Sequence, residues 1–206
     1  MHMDYPSQLK LKCEIVKNNL RKTGGFNEGD YIFQDIIPSD CVLRYRNKAQ
    51  FPCALIKNKF SCGFFKERSH DIVPVGDCLI QSEKINALMN VCVSFFEENG
   101  ILPYDEKTKK GIVRNIYIRE FSGSAAVVIV ANTKKKIKNI DSLCALLCKN
   151  GAVSVIQNVN TRDTNVITGD ENIILCGKDE IEAKIGHLTY LIPSKSFFQV
   201  NTKQTE

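Results

Sequence analysis

The residues best suited to chemistry in this sequence lie together at positions 44–48, which read Arg44, Tyr45, Arg46, Asn47 and Lys48. In an extended strand alternate residues share a face and lie roughly 6 to 7 Å apart, so this pattern predicts a row of three cations, Arg44, Arg46 and Lys48. Such a row suits a phosphate backbone, because the planar fork of arginine matches phosphate oxygens, and Tyr45 is placed to stack on an unpaired base. A solvated edge strand, whose charges discourage aggregation, explains the same pattern equally well.

Two further basic groups add to a predicted electropositive surface. One is the run of lysines within residues 134–138, and the other comprises Lys107, Lys109, Lys110 and Arg114. Each is also typical of a solvated loop. Arg68 follows two adjacent phenylalanines, at 64 and 65, which gives another combination of aromatic and basic residues besides the one at 44–48.

The nine cysteines form no regular framework, and their odd number predicts a reducing compartment. Cys144 and Cys148 share one face of a predicted helix, where leucines surround them, so we interpret them as small core residues in preference to metal ligands. Cys78 follows Gly76 and Asp77 in a loop from which a thiol can point outward.

Several classes of site are absent from the sequence. Ser69, His70 and Asp71 contain the residue types of a hydrolase triad, but triad partners meet in space and not in sequence, so the pattern predicts only a turn. No glycine pattern resembles a dinucleotide or P-loop motif. The longest apolar run, residues 125–131, is too short to span a bilayer, and no secretory leader is visible, which predicts a cytoplasmic protein without a membrane partner.

The elements that must position these residues follow from composition and periodicity. The chain has 206 residues, 43% hydrophobic and 25% charged, with a net charge of +5, which fits one globular domain or one domain plus part of another. Apolar spacing predicts helices at 5–22, 85–96 and 141–148, the last with Asp141 as a possible N-cap. Alternating and β-prone runs predict strands at 41–50, 53–56, 60–65, 71–75, 111–120, 125–131, 153–158, 172–176, 180–185 and 187–192. Parallel βαβ repetition is weak, so the predicted fold is an α+β domain with an antiparallel sheet and two or three helices.

Six segments, read in order, resemble the RumA/TrmA family of S-adenosylmethionine-dependent RNA (uracil-5-)-methyltransferases, most closely its bacterial 23S rRNA branch. They are residues 45–50, 63–65, 69–73, 78–81, 156–160 and 196–201, the last ending in Phe-Phe-Gln-Val-Asn. Residues 2–10 also look like the stretch that follows the N-terminal cysteine cluster of the family. The resemblance implies three parts in the full enzyme, namely an RNA-binding β-barrel, a central domain and a Rossmann-like methyltransferase domain.

By this resemblance the chain is the central part. Residues 1–30 are expected to be a lead-in helix, 31–193 the RNA-facing domain and 194–206 the start of a truncated methyltransferase domain. Gln199 matches the glutamine that contacts S-adenosylmethionine, and Cys78 matches the fourth ligand of a 4Fe-4S cluster whose other three cysteines are missing here. The family's cysteine nucleophile and carboxylate base belong to the C-terminal domain, so no catalytic residue and no bound cofactor are expected in this chain.

The expected partner is ribosomal RNA, contacted by Arg44, Arg46 and Lys48, with Arg68 and Arg114 behind them, and the chain is expected to be a monomer. Two alternatives stay open. One is a stand-alone RNA-binding module of common ancestry, and the other is a fragment from the tRNA-modifying branch of the family.

Overall fold

The computed structural model describes residues 3–206; Met1 and His2, which open the predicted 1–30 region and the 2–10 segment, lie outside the described residues. The chain divides into two compact units, Met1–Val42 and Leu43–Glu206. None of the helices in the described part of the chain is long and apolar enough to cross a membrane.

The first unit is built around helix α1, Tyr5–Lys22, as the apolar spacing predicted. Asp4 caps its N-terminus by accepting a hydrogen bond from the Ser7 N–H at 2.8 Å, and this bond lowers the pKa of the Asp4 carboxyl. No α1 residue is fully buried, and the helix ends at Lys22 before two glycines. Lys17 lies over the ring of Phe33, 4.8 Å from its centroid.

The second unit contains a seven-stranded sheet in the order β3-β2-β1-β4-β5-β6-β7 and a separate hairpin, β8-β9. In chain order the elements are β1 Lys48–Ile56, β2 Lys59–Phe65, β3 Ile72–Pro74, α2 Glu83–Glu98, β4 Val113–Phe121, β5 Ser124–Ala131, α3 Ile140–Lys149, β6 Ala152–Val159, β7 Glu171–Cys176, β8 Glu180–Ile185, β9 Leu188–Pro193 and α4 Thr202–Thr205. The α+β prediction is confirmed. The sheet is antiparallel except for β5 and β6, which α3 connects as one parallel crossover.

Strand β4 shows how the two faces of the sheet are used. Ile116 and Ile118 belong to the main core, which α2 and α3 cover, whereas Tyr117 and Phe121 belong to smaller clusters of the opposite face. On that opposite face hairpin β8-β9 packs against β4, β5 and β6. Alternation along the strand therefore places Arg119, two residues after Tyr117, on the face away from the helices.

Two predicted details are wrong, and one helix was not predicted. The strand predicted at 41–50 begins only at Lys48, because Arg44 has φ +58 and residues 44–46 hydrogen-bond to the loop at 79–82 and not to a strand. The residue before α3 is Asn139, so Asp141 lies in the first turn and is not the N-cap. The short helix α4 had no signal in the apolar pattern.

Candidate functional site

Four side chains meet where β1 begins beside β4, and we call them the cationic corner: Arg46, Lys48, Tyr117 and Arg119. Lys48 is the cross-strand partner of Arg119. Both charges lie close to the Tyr117 ring, whose centroid is 5.2 Å from Lys48 Nζ and 5.1 Å from Arg119 Cζ. A tyrosine ring attracts cations through its negative face, so Tyr117 holds the two side chains in place without neutralising them.

The charge of this corner is concentrated and uncompensated. Burial lowers the pKa of Lys48, and the neighbouring charges of Arg119 and Arg46 lower it further. Within residues 3–206, no ion pair involves Arg46, Lys48 or Arg119. Arg46 Nε is buried and has no hydrogen-bond acceptor in the same part of the chain. The corner can therefore accept an anion, which would offset the mutual repulsion of its cations.

Arg119 also ties the end of β9 and the residues after it to the sheet. It is 2% exposed, and its guanidinium donates to the Tyr117 hydroxyl, to the Pro193 carbonyl at 3.1 Å and to the Ser196 carbonyl. We call residues 193–202 the anchored segment. A guanidinium carries five N–H donors, so one arginine can hydrogen-bond to strand and loop carbonyls at the same time.

Asn47 makes the second attachment of the anchored segment. Its Nδ2 donates to the Gln199 carbonyl and to Thr202 Oγ1, both at 2.9 Å, and its backbone N–H donates to the Val200 carbonyl at 3.0 Å. The Asn47 carbonyl accepts from the N–H of Glu120, so one residue joins the segment to β4.

These attachments decide which side chains of the anchored segment face outward. Phe198 packs edge-on against Phe121, with centroids 4.9 Å apart, in a cluster with residues of β8 and β9. Phe197 is 78% exposed, and the Gln199 side chain is exposed as well. An aromatic ring and an amide are thus held at the surface on a fixed backbone.

The predicted ligand Cys78 lies in a rigidly held loop. Asn86, which is buried, accepts from the Cys78 N–H at 3.0 Å and donates to its carbonyl at 3.1 Å. Arg44 donates to the same carbonyl at 2.9 Å and forms a two-pronged ion pair with Asp77 at 2.6 and 2.8 Å. That pair raises the pKa of Arg44 and lowers the pKa of Asp77.

The structure does not bring the predicted RNA contacts into one row. Arg44 turns toward Asp77, and Arg46 and Lys48 belong to the cationic corner. Arg68 lies in the turn after β2, where its side chain is 91% exposed and its Nε is 3.7 Å from Glu67 Oε1. Arg114 stacks over Tyr104, with Cζ 4.2 Å from the ring centroid. The predicted row is wrong because Arg44 has φ +58 and is not extended, so its side chain does not continue the alternation of a strand.

Sequence reasoning missed Arg119, Tyr117 and the bonding role of Asn47. One signal was available: Arg119 follows the run Ile116 to Ile118 in a predicted strand and lies two residues after Tyr117, on the same face. A buried arginine needs several acceptors, which indicates a structural or binding role.

The polar residues of segment 156–160 also have defined contacts. Gln157, fully buried, accepts from the Ile137 N–H at 3.0 Å and donates to the Lys135 carbonyl at 2.8 Å, which fixes the lysine run at 134–138. Asn158 and Asn160 hold the loops at 169–172 and 162–167 through their side-chain amides. These amides are fully used inside the fold and are not free to bind a ligand.

The fit of the two cofactors implied by the resemblance can be tested on the described residues. Among residues 3–206, no group of three or more histidine, cysteine or acidic side chains is arranged to hold a metal ion. For S-adenosylmethionine, the resemblance indicates one residue of this chain, Gln199. Its exposed side chain can supply a single polar contact but does not form a pocket by itself.

No protein-family model matches the chain. It is 38% identical over 208 residues to an uncharacterized RNA methyltransferase of Clostridium tetani, which covers 100% of this chain and 45% of the relative. It is 36% identical over 209 residues to an uncharacterized RNA methyltransferase of Streptococcus agalactiae, covering 100% of this chain and 46% of the relative. The chain thus spans about half the length of the curated relatives it matches.

A solved structure has a similar fold. The tRNA (uracil-54, C5)-methyltransferase of Pyrococcus abyssi, in complex with S-adenosyl-L-homocysteine, matches 98% of this chain and 46% of its own chain, with a TM-score of 0.75 and 23% sequence identity. The fold is therefore one that occurs within an RNA-modifying methyltransferase.

Proposed function

We propose that this chain is the central part of an S-adenosylmethionine-dependent RNA (uracil-5-)-methyltransferase and that it contributes RNA binding to the whole enzyme. The observation that carries the proposal is the cationic corner, in which Lys48 and Arg119 contact one tyrosine ring, the charge of Arg46 acts on Lys48, and none of the three cations has a carboxylate partner among the described residues. RNA carries a phosphate anion on each nucleotide of its backbone, and arginine and lysine side chains bind these phosphates. The relatives named RNA methyltransferases support the same assignment.

The exposed ring of Phe197 extends the proposed surface. It stands one residue from the buried Phe198 on a segment that Arg119 and Asn47 attach to the sheet. An exposed, fixed aromatic ring is a stacking platform for an unpaired base, so we assign Phe197 a base contact beside the phosphate contacts of Arg46 and Lys48. Arg68 and Arg114 are proposed as outlying phosphate contacts. Arg44 is proposed to act indirectly, by holding the loop at 77–81.

The proposed substrate is a single-stranded or loop region of 23S ribosomal RNA that contains the target uridine, bound by a monomeric chain in the cytoplasm. Residues 1–30, 31–193 and 194–206 are proposed as the lead-in, the RNA-facing domain and the beginning of the methyltransferase domain, with Gln199 as a contact to S-adenosylmethionine. The chain alone is proposed to be inactive, because the nucleophile and base come from another domain.

A tRNA substrate is the second candidate, since the structural neighbour from Pyrococcus abyssi acts on tRNA. A stand-alone RNA-binding module is the third. Competition between a 23S rRNA fragment and a tRNA transcript for the purified chain separates the first two, because the preferred RNA displaces a labelled probe at the lower concentration.

The binding proposal is tested by fluorescence anisotropy with a labelled single-stranded RNA. Replacing Arg46 and Lys48 together by glutamine removes two phosphate contacts and is expected to weaken binding by about tenfold at low salt. Lys149→Gln is the matched control, because Lys149 is an exposed lysine at the end of α3, on the other face of the sheet. Equal affinity of the double variant and the control would refute the proposal.

Cys78 is proposed as the one ligand that this chain gives to a 4Fe-4S cluster in the complete enzyme. Because four thiolates are ordinarily required, the purified chain should be colourless and free of iron. Iron analysis and the visible spectrum check this directly. A stoichiometric cluster in the isolated chain would contradict the assignment of a single ligand.

A further inference from the structure

Two pairs of cysteine sulfurs are in contact within the second unit. Cys53 Sγ and Cys62 Sγ are 3.3 Å apart, and Cys148 Sγ and Cys176 Sγ are 3.2 Å apart. Neither pair has a part in the proposed RNA surface. A disulfide joins its sulfurs at about 2.05 Å, so side-chain rotation that shortens either contact by roughly 1.2 Å would allow a bond.

The two pairs differ in access to solvent. Cys53 and Cys62 face each other across β1 and β2, under α2, and are only 5% and 2% exposed. Cys148 lies in the last turn of α3, and Cys176 is the last residue of β7, the strand at one edge of the sheet; both are half-buried. A small oxidant can reach the second pair in the folded chain, whereas it can reach the first only after unfolding.

We propose that Cys148 and Cys176 are a thiol modification site, at which hydrogen peroxide forms a reversible disulfide that links α3 to β7. The structure supports it with a contact that spans 28 positions of sequence and with a surface location at the edge of the sheet. Burial and the neighbouring Cys176 raise the pKa of Cys148, which favours the thiol form of Cys148.

The reaction balances with peroxide as the only oxidant. One thiolate sulfur attacks a peroxide oxygen, the O–O bond breaks, and hydroxide leaves and takes up the proton released when that thiol ionised, giving a sulfenic acid and one water. The second sulfur then attacks the sulfenic sulfur, the S–O bond breaks, and hydroxide leaves and takes up the second thiol proton as water. The two thiols lose two electrons in total, and one peroxide becomes two waters. A small dithiol reverses the bond by thiol–disulfide exchange.

Cys144 is the nearest competitor, since it lies one turn before Cys148 on the same face of α3. It is 7% exposed, and burial raises its pKa to about 11. A more deeply buried thiol is less accessible to a dissolved oxidant and reacts more slowly, so the expected bond joins Cys148 and not Cys144 to Cys176.

The test treats the purified, folded chain with hydrogen peroxide, blocks the remaining thiols with an alkylating reagent and maps tryptic peptides by tandem mass spectrometry. The expected product links peptide 139–149 to peptide 163–178 through Cys148 and Cys176, disappears after dithiothreitol, and leaves Cys53 and Cys62 alkylated. Cys144→Ser should retain the linked peptide, and Cys148→Ser should lose it.

Three outcomes would overturn the proposal. The first is no linked peptide in the wild-type chain while circular dichroism shows it folded. The second is a link through Cys144, retained in Cys148→Ser. The third is oxidation of Cys53 and Cys62 to the same extent under the same conditions, which would show that access requires unfolding and that the edge pair is not selective.

Discussion

Cations occur in two kinds of surroundings in the second unit. In the cationic corner, Lys48 and Arg119 contact a tyrosine ring and Arg46 adds its charge beside Lys48. None of the three has an ion-pair partner within the described residues. Elsewhere several cations lie beside a carboxylate, and we call the three arginine and lysine side chains that also hydrogen-bond to it the paired cations. They are Arg44 with Asp77, Lys109 with Asp163, and Arg162 with Asp170.

This difference shows that the number of basic residues does not by itself identify a binding surface. A paired cation already has its anion and gains little from a phosphate, whereas a crowded, uncompensated cation gains a partner and relief from repulsion. Arg44 and Arg46 are two positions apart in sequence and look equivalent there. Their surroundings in the fold assign one to a loop and the other to the candidate RNA surface.

The largest expected effect comes from Arg119, the buried member of the corner. Arg119→Met keeps much of the side-chain volume but leaves the Tyr117 hydroxyl and the Pro193 and Ser196 carbonyls without their donor, and should lower the free energy of unfolding by about 3 kcal/mol. Urea denaturation measures this loss in the free energy of unfolding. Arg162→Met, which removes a paired cation from the surface, should cost less than about 1 kcal/mol. Similar losses in both variants would contradict the distinction.

A smaller effect is expected at Asn47, which attaches the anchored segment. Asn47→Ala loses two hydrogen bonds from Nδ2, but it also removes a buried Oδ1 that has no donor among the described residues, so the expected loss is about 1 kcal/mol. The clearer readout is limited proteolysis, in which trypsin should cleave after Lys195 and Lys203 faster than in wild type. Asn165→Ala, in an exposed loop, should not change that rate.

The smallest effect concerns the pair of Arg44 with Asp77. The pKa of Asp77 is lowered in the folded chain by its bond to Arg44, so its contribution to stability is present above the carboxyl's ordinary pKa near 3.8 and is lost as the pH falls below that value. In Asp77→Asn the stability should therefore decline less steeply than in wild type below about pH 4. Thermal unfolding from pH 7 to pH 3 checks this, with Asp71→Asn as an exposed control.

The parts of the fold that sequence predicted are those with local causes. Helix α2 follows from apolar residues at three- and four-residue spacing, and β4 with β5 follows from β-prone runs around a Ser-Gly-Ser turn. The conformation of residues 44–46 depends on the loop at 79–82, more than 30 positions away, and no pattern within a short window contains that contact.

The candidate site was predictable in composition and not in geometry. Arg46 and Lys48 were chosen from the basic pattern, but their neighbour Arg119 comes from a strand some 70 positions later, and its acceptors come from residues 193 and 196. The resemblance drew attention to segment 196–201, and only the fold shows that Phe198 is buried while Phe197 and Gln199 face outward.

The most direct test of the central claim is the salt dependence of RNA binding. For single-stranded RNA the logarithm of the affinity falls against the logarithm of salt concentration by about 0.7 for each phosphate contact. The slope for Arg46→Gln with Lys48→Gln should therefore be shallower than the wild-type slope by about 1.4, and the slope for Lys149→Gln should be unchanged. An unaltered slope in the double variant would show that the cationic corner does not contact the phosphate backbone.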